Sequence, residues 1–220
     1  MRNEAGYEDM YGRIFEPHCH ALINSGCELR IRRLLSSSNS SASAGENEES
    51  SITLSKPTTS LRFDGHDPKA LKKLPTGWCS DGTYLQPHSN SFPSYDSIYV
   101  VKESVLRPNG SDSLIALNFQ MTVSGVHGLP PRPKHALRRY IRSGINAACR
   151  SVQTSFKESV AVFAVPNVCF DHFAFQREYI KDAKVHCKLQ PKEQFVVAVP
   201  ETAFALSSEF SQDPKRKRTL

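Results

Sequence analysis

Two apolar stretches in the middle of the chain carry polar groups where a buried strand would hold none. Tyr95-Asp96-Ser97-Ile98-Tyr99-Val100-Val101 contains a carboxylate, and Leu114 to Val123 contains Asn118, Gln120 and Thr122. Burying an unpartnered carboxylate or amide is costly, so a chain keeps one there only where something binds it. Asp96, Gln120 and Thr122 supply three oxygen-bearing groups. A turn-capping role for Asp96 and a solvated strand face for the Gln120 row are the competing readings. A second grouping is electrostatic. From Ser113 to Lys157 there is no Asp or Glu, yet the stretch holds Arg132, Lys134, Arg138, Arg139, Arg142, Arg150 and Lys157. A local basic field directly after the polar strands suits a polyanionic partner.

These groups need elements to position them. Met10, Ile14, Phe15, Leu22 and Ile23 form an apolar stripe over residues 8–24, which predicts a helix ending at Gly26. Pro17 lies inside it and predicts a break or a later start near Glu16. Glu28 to Leu34 alternates with period two, as a half-exposed strand does. Residues 36–60 turn abruptly to Ser, Asn, Glu and Thr and predict a disordered insertion. Leu61-Arg62-Phe63 reads as a short strand. Asp67 to Leu74 reads as one or two helical turns with Pro68 at the first position. The two polar-bearing stretches form a hairpin through the turn Arg107-Pro108-Asn109-Gly110.

Beyond it, Leu137, Ile141, Ile145 and Ala148 give residues 134–149 one buried helical face, with Lys134, Arg138 and Arg142 in a parallel basic row. Glu158 to Val165 and Phe195 to Val199 are apolar enough for buried strands. Hairpin, helix and strand in this order predict an α/β layered fold. The expected divisions are 1–35 (first helix and strand), 36–60 (Ser-rich linker), 61–205 (main core) and 206–220 (basic tail).

Composition narrows the class. Hydrophobic residues make up 39% and charged residues 23%, which is low for a wholly compact chain and fits the expected linker and tail. No run of 18 or more apolar residues occurs, so no membrane partner is expected. No apolar leader segment follows Met1, so no secretory signal peptide is expected. The six cysteines contain no C-x-x-C pair and read as reduced core thiols in a cytosolic or nuclear setting. His18-Cys19-His20 lacks the spacing of a zinc site, because neighbouring helical residues point to different sides. Lys215, Arg216, Lys217 and Arg218 carry four of the six net positive charges. Their form is that of a nuclear localisation signal, with an import receptor as partner.

Several phrases together resemble the nuclease-like domain of the Crinkler and retrotransposon-hot-spot families. Gly12-Arg13-Ile14-Phe15-Glu16 with His20 and Gly26, then Leu29 to Leu34, resembles the opening helix and strand. Tyr84-x-x-Pro87, Asn90 and Asp96-Ser97 resemble a "Y-x-P … N … DS" stretch. Phe119-Gln120-Met121-Thr122-Val123-Ser124 followed by His127 is the most specific match. The likeness covers about residues 10–35 and 77–200.

It implies a restriction-endonuclease-like core, a mixed central sheet flanked by helices. It further implies a metal site with Asp96 and Gln120 on adjacent strands and Glu16 approaching from the first helix. Mg²⁺ or Mn²⁺ there would bind the scissile phosphate and activate a water. Asp96, Gln120 and Thr122 are then the implied catalytic set, and Lys134, Arg138, Arg139 and Arg142 the nucleic-acid contacts, with DNA as the expected partner. Thr122 stands where active relatives carry Lys; Lys102, Lys134 or Arg138 could replace its charge, or catalysis is lost and binding kept. A nuclear location follows, with delivery into a host cell by a non-standard route as an effector. No Gly-x-x-x-x-Gly-Lys-Ser/Thr occurs, so no nucleoside-triphosphatase is expected.

Overall fold

Alternating apolar strands assemble into one mixed sheet, and the computed structural model of the chain describes residues 4–34, 49–64, 69–88, 95–123, 133–174 and 193–200. In chain order the elements are α1 (Glu4–Ser25), β1 (Cys27–Leu34), β2 (Glu49–Leu54), β3 (Thr59–Phe63) and a 3₁₀ helix (Ala70–Lys73). Next come β4 (Thr83–Pro87), β5 (Ser97–Lys102), α2 (Glu103–Leu106) and β6 (Leu114–Met121). The last are α3 (Pro133–Ser151), β7 (Phe156–Pro166), α4 (Asn167–Phe170) and β8 (Gln194–Val199). The eight strands lie in the order β2-β1-β8-β7-β6-β5-β4-β3. β5 and β6 pair antiparallel as the sequence predicts, with Ser97 opposite Phe119 and Lys102 opposite Leu114. β6, β7 and β8 run parallel. Parallel neighbours require a crossover, and α3 supplies the one between β6 and β7.

Each face of the sheet has its own core. On one side Phe15, Cys19 and Ile23 of α1 pack with Leu29, Ile31, Tyr84, Tyr99, Leu117, Phe119 and Val162. On the other, Leu71 of the 3₁₀ helix and Ile145 and Cys149 of α3 pack with Leu85, Ile98, Ala116, Phe163 and Val196. The central strands are covered on both faces, which explains their continuous apolar runs. Gly26 stops α1 in the left-handed region at φ +80, and a Cβ there would lie 2.8 Å from the Lys56 backbone nitrogen.

Three expectations change. α1 runs through Pro17 without ending and begins earlier than residue 8. The expected linker at 36–60 is partly ordered: residues 49–54 form β2, with Ile52 and Leu54 buried and Cys27 opposite Leu54. Two well-placed apolar residues and a paired edge outweigh the polar composition there, while residues 35–48 lie outside the described segments. The turn after β5 carries the short helix α2 before Gly110.

Gly144 of α3 sits where a Cβ would meet the Leu71 Cβ at 2.9 Å, so its lack of a side chain lets α3 and the 3₁₀ helix touch. Gly144→Val is expected to cost about 1–3 kcal/mol by overpacking. The check is a lower denaturant midpoint with an unchanged slope.

Glu103 anchors the end of the sheet away from the polar strand ends. Its side chain is 3% exposed and bonds Arg107 Nη1 and Lys157 Nζ at 2.6 Å each, and the Ser111 hydroxyl at 2.8 Å. Arg107 also reaches Glu158 at 2.9 Å, and Glu193, tying α2 to β7 and to the lead into β8. The Lys157 bond first, then Ser111 and Arg107, hold the Glu103 carboxyl down at about 2. A folded-state value below the unfolded one means the stabilisation is present above about pH 4.5 and lost as pH falls towards 2. Thermal midpoints measured between pH 6 and 2 should therefore fall more steeply in the wild type than in Glu103→Gln. Among the described residues, no helix is long and apolar enough to cross a membrane.

Candidate functional site

Asp96 is held at the lead-in to β5 by a β-bulge. Ser97 stands opposite Phe119 in the ladder, yet the Asp96 N–H also donates to the Phe119 carbonyl at 2.8 Å, so two residues oppose one. The Asp96 carboxylate accepts the Met121 N–H at 2.6 Å, replacing the strand carbonyl that would have continued the ladder. The bulge sends Asp96 to the same side as Ser97 and Phe119, towards α1. Its charge acts there: burial chiefly, then Asp96 and Glu16, push the Cys19 thiol well up. Burial likewise raises the Tyr84 phenol, with smaller contributions from Cys19, Asp96 and Glu16.

α1 brings Glu16, Cys19 and His20 onto this face at helical spacing. His20 Nδ1 lies 2.5 Å from the Tyr84 hydroxyl, and its Nε2 lies 3.5 Å from Glu16 Oε1. His20 Nε2 is buried and makes no hydrogen bond among the described residues. The bond between His20 Nδ1 and the Tyr84 hydroxyl is what latches α1 to β4, and Tyr84 is 1% exposed. His20 thus has the structural role that a buried histidine usually has, and His127 lies outside the described residues.

The remaining strand residues face the other way. β6 alternates strictly: Ile115, Leu117 and Phe119 pack towards α1, whereas Leu114 and Ala116 pack towards α3. Asn118, Gln120 and Thr122 continue the α3 side and are 4%, 8% and 7% exposed. Among the described residues, the Asn118 Oδ1 and Gln120 Oε1 are buried without a hydrogen-bond partner. Glu16 and Asp96 therefore share one face of the sheet, and Gln120 and Thr122 occupy the opposite face. The three-residue convergence of Glu16, Asp96 and Gln120 is corrected on this point, because the bulge turns Asp96 over. Lys102 is corrected as well. It ends β5 about 20 Å along the strand from Asp96 and pairs with Asp112 at 3.1 Å. Among the described residues, no group of three His, Cys, Asp or Glu side chains gathers to hold a metal ion.

A basic surface lies on the α3 side. Lys69, Lys72 and Lys73 around the 3₁₀ helix, and Arg142 and Arg150 on α3, are all exposed. Leu71 and Ile145 below them belong to one core cluster, so the two basic elements form a single layer. Neither 69–80 nor 133–157 contains an Asp or Glu. The side chains of Lys134, Arg138 and Arg139 lie outside the described residues, as do Lys215, Arg216, Lys217 and Arg218. The 3₁₀ lysines were missed from sequence; the signal was Lys69-x-x-Lys72-Lys73 in an acid-free stretch. The β1 arginines, by contrast, are engaged in the fold. Arg30 bonds Glu49 and Asn167, Arg32 donates to the Phe170 and Phe173 carbonyls over the Phe170 ring, and Arg33 pairs with Glu193.

No family model, curated protein or solved structure matches the chain.

Proposed function

We propose that the chain is a nucleic-acid-binding domain on a nuclease-like α/β frame, acting on DNA in a nucleus with catalysis lost. The observation that carries this reading is the exposed set of Lys69, Lys72, Lys73, Arg142 and Arg150, drawn from the stretches 69–80 and 133–157, which contain no Asp or Glu. Five exposed cations without an acid in either stretch attract phosphate oxygens and release condensed counterions on binding. Loss of catalysis is supported by Thr122 in place of Lys and by the separation of Gln120 from Asp96 across the sheet. The Lys215–Arg218 tail serves nuclear import in the same reading, and the Crinkler resemblance makes the chain an effector delivered to that nucleus.

A metal-dependent phosphodiesterase is the second reading, favoured by one observation. Glu16 and Asp96 lie on the same face, both within electrostatic reach of Cys19 and Tyr84. Two carboxylates would hold Mg²⁺ or Mn²⁺, which supplies charge stabilisation at the phosphate and a more acidic water. Purified protein with duplex DNA, with and without either ion, separates the two. Salt-sensitive binding without cleavage supports the first reading; ion-dependent cleavage abolished by Asp96→Ala supports the second. Absence of any binding overturns both.

A further inference from the structure

Cys79 and Cys149 lie 70 positions apart in sequence, yet their sulfurs face each other at 2.8 Å. Cys79 belongs to the segment leading into β4 and is fully buried; Cys149 lies in the last turns of α3 and is 1% exposed. The backbone on both sides is pinned. The Trp78 carbonyl accepts the Thr83 hydroxyl at 2.7 Å, and the Cys149 carbonyl accepts the N–H groups of Thr154 at 2.9 Å and Val152 at 3.2 Å. A Cβ at Gly77 would meet Val152, the residue after α3, at 3.5 Å, so the end of α3 lies against the segment. Of the other described cysteines, Cys19 and Cys27 lie on the α1 side, and Cys169 packs against the same core cluster as the pair but donates to the Val123 carbonyl at 3.7 Å.

We infer that Cys79 and Cys149 form a peroxide-oxidisable dithiol whose disulfide fastens α3 to the segment before β4. A disulfide needs the sulfurs at about 2.05 Å, so closing this pair takes a movement of roughly 0.8 Å, within reach of side-chain rotation. Either sulfur can donate to the other, so either can be the one that ionises. The thiolate that forms is the attacking sulfur and its neighbour the resolving one. That thiolate attacks one oxygen of hydrogen peroxide and becomes a sulfenic acid, while the other oxygen leaves as hydroxide and takes up a proton to form water. The neighbouring thiol then attacks the sulfenic sulfur and a second water leaves. In sum, two thiols and one hydrogen peroxide give one disulfide and two waters. Burial selects a small oxidant over a bulky disulfide reagent. The bridge would close a long loop, which restrains the unfolded chain and raises the thermal midpoint.

The test treats the full chain with hydrogen peroxide, alkylates it under denaturing conditions and maps peptides without reduction. The expected result is a peptide pair joined through Cys79 and Cys149, with alkylatable thiols falling from six to four and recovering with dithiothreitol. A thermal midpoint raised by oxidation in the wild type, and unmoved in Cys149→Ser, completes it. Should Cys149→Ser fail to fold, Cys79→Ser gives the same comparison, and the wild-type peptide map stands without either. Both cysteines remaining alkylatable, joining to other cysteines, or advancing to sulfinic acid without pairing would each overturn the inference.

Discussion

On the proposed DNA-binding reading, Lys72→Glu, Lys73→Glu and Arg142→Glu together are expected to lower affinity for duplex DNA by about 10²-fold or more at low salt, and to flatten its salt dependence. The size follows from counterion release. Each phosphate contact contributes roughly 0.9 to the slope of log K against log salt, so five cations predict a slope near −4.5. Removing three contacts should leave a slope near −1.8. The three positions are exposed, so folding stability should move by no more than about 0.5 kcal/mol each. Arg30→Ala is the control, because that guanidinium bonds Glu49 at 2.5 Å and stacks over Phe170. A fluorescence-anisotropy titration at several salt concentrations reads both numbers. An unchanged slope in the triple variant would place the DNA contacts on another surface.

Much of the frame is legible in the residues alone, because hydrophobic period is a strong signal. The β5–β6 hairpin, α3, β7 and β8 fall where their apolar patterns put them, within a few residues at each end. β2 was hidden, since only Ile52 and Leu54 mark it within a serine-rich run, and edge pairing with β1 supplied what composition withheld. The fate of Asp96 was also hidden. Strict alternation correctly sets Gln120 and Thr122 on one face of β6, but nothing local announces that a bulge opposes both Asp96 and Ser97 to Phe119. One extra residue in a ladder exchanges the faces of everything before it. The hairpin turn put the right strands side by side, whereas the convergence of Asp96 with Gln120 that the resemblance implied is not what the two strands give.

That direction yields a second large effect, separable from any chemistry. Asp96→Ala should destabilise the fold by about 1.5–3 kcal/mol, because it removes a charged acceptor and leaves the Met121 N–H at the end of β6 without one. Asp96→Asn keeps an oxygen in the same place and should cost clearly less, since only the charge on the bond is lost. Denaturant midpoints on both variants measure the difference. Equal losses would mean that the negative charge beside Cys19 and Tyr84, and not the acceptor, is what the bulge needs. The same pair divides the functional readings. A binding domain tolerates Asp96→Asn with DNA affinity intact, whereas a metal-dependent phosphodiesterase loses turnover in both variants. If Asp96→Asn binds DNA as the wild type does and neither protein cleaves it with Mg²⁺ or Mn²⁺, the carboxylate is a fastening for two strands and the basic layer carries the function.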